Sequence, residues 1–269
     1  MNQKAPLFPA ERRKRILDIL REEYTVRGSH LSEMLNVSEM TIRRDLDALE
    51  KEGLVERTHG GAVFRQERVI GKFRYQSSVK ENPHEKEIVA RRAAEMIEPH
   101  ETVFIGEGTT AAQVVRFAPR DMPFTVATNN LGVVSEIRNG TIELLMLGGI
   151  YDAATHSLAG PLTMEMIGRI NAAKVFLGAD GLSLRAGLTT PNLEIAVLER
   201  QMIRYTHGRV IVMVDHTKFG LVAEMAVAPL NRVDVLITNR KVPEHFKKDL
   251  AKMGLEVVVA REAAGNAHY

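Results

Sequence analysis

The stretch LSEMLNVSEMTIRRDLDALEKEGLVERTHGGAVF, Leu31 to Phe64, decides the fold of the N-terminal part of the chain. Leu31 to Leu35 reads as a short helix closed by Asn36-Val37. Ser38 then stands where an N-cap belongs, and a longer helix runs to about Glu52 before Gly53 stops it. Two helices joined by a tight polar turn form a helix-turn-helix pattern. Leu54-Val55, the turn His59-Gly60-Gly61 and Ala62-Val63-Phe64 follow as a hairpin, the wing of a winged helix.

The longer helix sorts its faces. Ile42, Leu46 and Leu49 share one stripe that must pack inward. Rotation by about 100° per residue puts Met40 and Arg44 almost opposite that stripe, with Thr41 and Arg43 on its flanks. Two guanidinium groups, a hydroxyl and a thioether near a helix N-terminus suit the major groove, where Arg pairs with guanine and Thr with phosphate or a thymine methyl. A plainer reading is a solvated face with an Arg43–Asp47 pair. The turn before the helix and the wing after it favour double-stranded DNA. The candidate DNA-binding residues are Ser38, Met40, Thr41, Arg43, Arg44 and, in the wing turn, His59. Arg12 and Arg15 join them from a basic cluster opening an earlier helix, about Ala10 to Glu23, where positive charge opposes the helix dipole unless an anion lies near.

SEMTIRRDLDALEKEGLVERTHGGA resembles the N-terminal signature of the DeoR-type family of bacterial transcriptional regulators. The likeness reaches back through Arg12-Arg13-Lys14-Arg15-Ile16-Leu17 and forward, more loosely, across most of the chain. It implies a sequence-specific regulator, usually a repressor, with an effector domain like ribose-5-phosphate isomerase in fold that responds to phosphorylated sugars or related metabolites.

The chain has 269 residues, 45% hydrophobic and 26% charged, an ordinary globular composition with room for two domains. It has no cysteine, which excludes a disulfide frame, a thiolate metal site and a cysteine nucleophile and suits a reducing cytoplasm. No signal-like segment or membrane span is read, so a cytoplasmic protein is expected. Net charge is only +2, so affinity for nucleic acid must come from local placement.

The expected organisation is a winged helix-turn-helix over residues 1–64, a basic linker over 65–83 and an effector domain over 84–269. A helix from His84 carries Ile88, Val89, Ala93 and Met96-Ile97. Strands and helices then alternate to the C-terminus, with unbroken apolar strands such as Val103-Phe104-Ile105 and Val210 to Val214. That pattern is α/β, a doubly wound, mainly parallel sheet covered on both faces.

In such sheets a ligand lies beyond the carboxyl ends of the strands. Those ends read Gly106-Glu107-Gly108-Thr109-Thr110, Thr128-Asn129-Asn130, Gly148-Gly149, Gly178-Ala179-Asp180-Gly181 and Asp215-His216-Thr217-Lys218. Each alone is an ordinary turn composition; their recurrence on one edge points to a site. Between a strand and a helix, GEGTT offers backbone N–H groups and hydroxyls to an anion. It lacks the spacing of a nucleotide P-loop, and a phosphomonoester fits better. Lys218 is expected to supply countercharge and Asp180 to accept from sugar hydroxyls. The candidate effector residues are Gly108, Thr109, Thr110, Asn129, Gly149, Asp180 and Lys218, and the resemblance matches the same segments. Glu107 and Glu199 depart from the family's pattern, and carboxylates there oppose a phosphate.

The reading is a DNA-binding regulator of carbohydrate metabolism genes, probed by a small phosphorylated effector and assembled as a homodimer or homotetramer. The alternative is a sugar-phosphate isomerase-like enzyme with an accessory DNA-binding domain, Asp180 and Lys218 serving enolisation. No cofactor is expected, and no metal, since no histidine and acid cluster has ligand spacing.

Overall fold

The computed structural model describes residues 8–262 other than 24, 53, 59, 65–67, 71–74, 139, 241 and 243. His59, expected at the DNA interface, lies outside the described residues. The described chain divides into two compact units, within Met1–Arg68 plus Pro243–Lys248 and within Val69–Val242 plus Asp249–Tyr269.

In the first unit, helices Pro9–Glu23, Gly28–Leu35 and Glu39–Lys51 surround a core of Ile16, Leu20, Leu31, Ile42, Leu46 and Leu49. Asn36 closes the second helix in the left-handed conformation at φ 51°, which an Asn tolerates better than most residues. The Ser32 hydroxyl donates to the Val37 carbonyl at 2.6 Å, fixing the turn. Ser38 caps the third helix, accepting from the Thr41 amide at 3.2 Å. The wing pairs Val55–Thr58 with Gly61–Phe64, and Thr25–Arg27 adds to its far side, antiparallel throughout. Close approach needs a glycine at 61, where a Cβ would fall 2.0 Å from the Val26 carbonyl oxygen.

The second unit is built on a seven-stranded sheet with every neighbouring pair parallel. Its strands, in spatial order, are Glu256–Val259, Val235–Thr238, Thr206–Met213, Ala172–Leu177, Thr102–Ile105, Phe124–Thr128 and Ile142–Met146. Central strands such as Val103-Phe104-Ile105 and Val175-Phe176-Leu177 are wholly buried, as uninterrupted apolar runs require. From Thr102–Ile105 the chain winds outward to Ile142–Met146, then returns to the other side through Ala172–Leu177. The winding therefore reverses between Thr102–Ile105 and Ala172–Leu177, and a crevice opens at such a reversal.

Two elements depart from the sequence reading. The helix expected after GEGTT is two single turns, Thr109–Ala112 and Val114–Phe117, broken at Gln113. So short a turn sums few peptide dipoles, and the pull it exerts on an anion is correspondingly small. The range read as a linker also holds structure: Tyr75–Lys80 is helical, and Ser78 within it is buried.

Candidate functional site

The third helix of the first unit turns Met40, Arg43 and Arg44 to solvent, Met40 with 59% of its surface exposed. Ile42, Leu46 and Leu49 on the opposite face are buried. Thr41 is half-buried, and its hydroxyl lies 2.9 Å from that of Ser38, so the two share one hydrogen bond. Arg15 is exposed on the first helix. In place of the Arg43–Asp47 pair of the plainer reading, Asp47 contacts Arg57 of the wing at 3.6 Å. Glu50 accepts from the Arg57 amide at 3.1 Å, so the helix's acids hold the wing. An open groove between helix and wing is lined by Met40, Arg43, Asp47 and Arg57 among others.

Arg12 has a different place. Its Nε donates to Asp45 Oδ2 at 2.6 Å and its Nη2 to Asp45 Oδ1 at 3.2 Å. The side chains are only 11% and 8% exposed, so the guanidinium ties the first helix to the third. A group neutralised inside the unit has less left for phosphate, which weighs against the expectation that Arg12 contacts DNA. Asp45 lies on the buried side of its helix, 6% exposed, and needs a buried cation.

In the second unit a cleft, partly open to solvent, lies where the winding reverses. Of the candidate effector residues, Gly108, Thr109, Thr110, Asp180 and Lys218 line it, together with Lys86, Glu107 and Glu199. Gly108 has φ +98° and ψ 162°, a conformation that favours glycine. Asn130 braces this loop, its Nδ2 donating at 3.0 Å to the carbonyls of both Gly106 and Gly108.

Asn129 and Gly149 are not among the lining residues. Both follow strands that lie on the other side of Thr102–Ile105 from Ala172–Leu177. Asn129 is fully buried and donates to Glu107 Oε1 at 2.6 Å and to the Leu158 carbonyl at 2.8 Å, so it positions Glu107. Gly149 is a packing position, where a Cβ would meet Thr163 Oγ1 at 2.3 Å and the Ala159 carbonyl oxygen at 2.5 Å.

Lys86 is the lining residue that the sequence reading missed. Its ammonium donates to the Ser78 carbonyl and, at 3.1 Å, to the Ser78 hydroxyl. That hydroxyl lies 3.2 Å from Thr109 Oγ1, linking Lys86 to the loop. Burial, and then the neighbouring Lys218, lowers the Lys86 pKa. A signal was available: Lys86 precedes the buried Val89 and Ala90 by three and four residues, so it lies on the inward stripe of Pro83–Ala94. Glu199 shares its stripe with Ile195 and Met202 in Leu193–Arg204 in the same way.

The two unexpected carboxyls are buried, Glu107 at 5% and Glu199 at 4% exposure. Burial raises the Glu107 pKa to about 8, against a weaker opposing effect of the Asn129 hydrogen bond. Burial also raises Glu199 well above the ordinary carboxylate range, and Glu107 and Asp180 add to it. Burial raises Asp180 too, with Lys218 and the Thr190 hydroxyl, at 3.0 Å, pulling it down. Near neutral pH Glu107 is thus largely protonated, and it does not repel an anion as an ionised carboxylate would.

A carboxyl with a folded pKa above its unfolded value binds more protons folded, so stability is lost as pH rises. For Glu107 the window runs from the ordinary 4.5 to about 8. Wild-type protein is expected to lose stability across that range, by up to about 1.4 kcal/mol per pH unit from this group. Glu107→Gln keeps an acceptor for Asn129 and removes the titration. Its denaturation midpoint should therefore exceed that of wild type at pH 8 and match it near pH 5. Parallel pH dependence in the two proteins would contradict the assignment.

Residues 12–68 match the family model of the DeoR-like helix-turn-helix domain, and residues 81–240 that of the DeoR C terminal sensor domain. The chain belongs to the DeoR family of HTH-type transcriptional regulators. Among its DeoR-family relatives, the regulator GolR of Listeria innocua is 30% identical, over 94% of this chain and all of that one. GlpR of Haloferax volcanii is 32% identical over 94% of this chain and 98% of that one. A putative aga operon transcriptional repressor of Escherichia coli O157:H7 is 30% identical, over 94% of each chain. Among solved structures, ribose 5-phosphate isomerase A from Methanocaldococcus jannaschii is similar over 53% of this chain and 56% of that one, at TM-score 0.38 and 18% identity. That likeness is too distant to bear on function. The matched DeoR-family models and these relatives are DNA-binding regulators, not enzymes, which sets aside the isomerase-like alternative. No helix among the described residues is long and apolar enough to cross a membrane.

Proposed function

We propose that this DeoR-family regulator is a cytoplasmic repressor of carbohydrate metabolism genes, released from or tightened on its operator by a small phosphorylated sugar or related metabolite. The cleft at the winding reversal carries this reading. It joins two lysines, the hydroxyls of Thr109 and Thr110 and the glycine-rich loop at Gly108. Those groups supply charge and donors for a phosphate, and Asp180 supplies an acceptor for sugar hydroxyls. Lys86 and Lys218 carry the attraction, since the one-turn helix after Gly108 contributes little.

On the DNA side, Arg43, Arg44, Met40 and Thr41 present the reading surface, and Arg15 and the Ser38 end of the helix lie toward the phosphates. One winged helix covers one half-site, so a homodimer or homotetramer on repeated sites is the working assembly. Control is linkage: effector and DNA favour different arrangements of the same assembly, and each alters the other's affinity by one factor.

Thr109→Val tests the cleft. Valine keeps the volume and β-branching of threonine and removes the hydroxyl beside Ser78. Operator binding should match wild type, while the effector concentration needed to change it should rise by roughly tenfold or more, the cost of one charge-assisted hydrogen bond. A variant that responds to effector as wild type does would remove this loop from the site.

A further inference from the structure

The cleft is lined by charges of both signs. Lys86 and Lys218 are close enough to act on one another, and Asp215 and Asp180 also act on Lys86. Glu107 and Glu199 are likewise neighbours, and the charges felt most by Glu199 are Glu107 and Asp180, both acidic. Glu199 Oε1 lies 3.3 Å from where a Cβ on Gly106 would fall, at the foot of the loop that presents Thr109. Glu107 Oε1 is held by Asn129, and Glu107 Oε2 is buried outside hydrogen-bond geometry with any partner, although the Ser157 hydroxyl is near enough to favour the ionised carboxylate. A buried polar atom without a partner costs free energy that a bound ligand restores.

We propose that the effector carries a protonated amine as well as its anionic group, and that Glu107 and Glu199 bind the ammonium while Lys86, Lys218 and Thr109 bind the anion. This rests on the phosphorylated-effector reading above and narrows it to aminated sugar or polyol phosphates. An ammonium brings three donors and a positive charge. A hydroxyl brings one donor and no charge, and leaves two like acids side by side. A metal ion lacks its ligand set there, since among the described residues no group of three or more His, Cys, Asp or Glu is placed to hold one. Burial keeps Glu107 protonated while the cleft is empty, and an adjacent ammonium stabilises its ionised form, giving the charge-assisted pair at the moment of binding.

Isothermal titration of the full-length protein with matched probes decides the matter: glucosamine 6-phosphate against glucose 6-phosphate, and galactosamine 6-phosphate against galactose 6-phosphate. At least one aminated probe should bind tighter than its hydroxyl counterpart by roughly tenfold or more, the scale of one hydrogen bond to a charged group. In Glu199→Gln and Glu107→Gln, nearly isosteric and expected to fold, the preference should collapse toward unity while the hydroxylated probe keeps its affinity. Equal binding of the paired probes, or a preference that survives both substitutions, overturns the amine proposal and leaves the phosphorylated-effector reading standing. If no phosphorylated probe of either kind binds, that reading falls and the amine proposal falls with it.

Discussion

Arg12→Ala is expected to destabilise the N-terminal unit by roughly 3 kcal/mol or more, the scale for removing one partner of a buried ion pair. The loss exceeds that of a surface pair, worth about 1 kcal/mol or less, because the stranded group is Asp45, only 6% exposed. Asp45 sits on the core side of the recognition helix beside Leu46 and Leu49 and cannot reach water without moving that helix. For a unit of about 60 residues such a loss lowers the midpoint by more than about 10 °C. Hydrogen exchange of the amides of Glu39–Lys51 reports it directly. Asp45→Ala should cost less, since the long arginine stem lets its head turn to solvent. Unchanged protection in Arg12→Ala would mean that the pair contributes nothing, and would restore Arg12 as a candidate for phosphate.

Arg44→Ala should do the opposite: leave stability within a few tenths of a kcal/mol and weaken operator binding by roughly 1–3 kcal/mol if the guanidinium reads a base. Arg44 is exposed on a helix face opposite the buried Ile42, Leu46 and Leu49, and alanine is at least as good a helix former. A base reader loses affinity only for sequences that carry its base. A phosphate contact loses affinity uniformly and reduces the salt dependence by about one ion. Titrating wild type and variant against operator and scrambled DNA at two salt concentrations separates these outcomes. Unaltered operator affinity would remove Arg44 from the interface.

The N-terminal unit was legible nearly residue by residue because its determinants are local. A cap at Ser38, a left-handed Asn36, a stripe at Ile42, Leu46 and Leu49 and a Gly-Gly turn each act within a few residues. Thr25 and Val26 complete the wing by pairing with Val63 and Ala62. The parallel sheet was equally readable, since buried strands have to be apolar throughout.

Partnerships across long separations were not legible. Nothing within a helical turn of Arg12 announces that Asp45, 33 residues on, neutralises it. Asn129 and Gly149 end strands with the right composition, but the strand order that puts them on the other side of Thr102–Ile105 is a property of topology. Lys86 and Glu199 were within reach, each on an apolar stripe. A charged residue at such a position usually snorkels outward, and only a polar cleft at the stripe's end explains its burial.

The most direct test is a binding titration of the full-length protein with DNA flanking its own gene, at moderate salt, with and without the phosphorylated sugars and amino sugars named above. Sequence-selective binding, shifted by at least one of these compounds in wild type and not in Thr109→Val, is the predicted result. Absence of sequence-selective binding, or selective binding that no compound moves, would contradict an effector-controlled regulator of this kind.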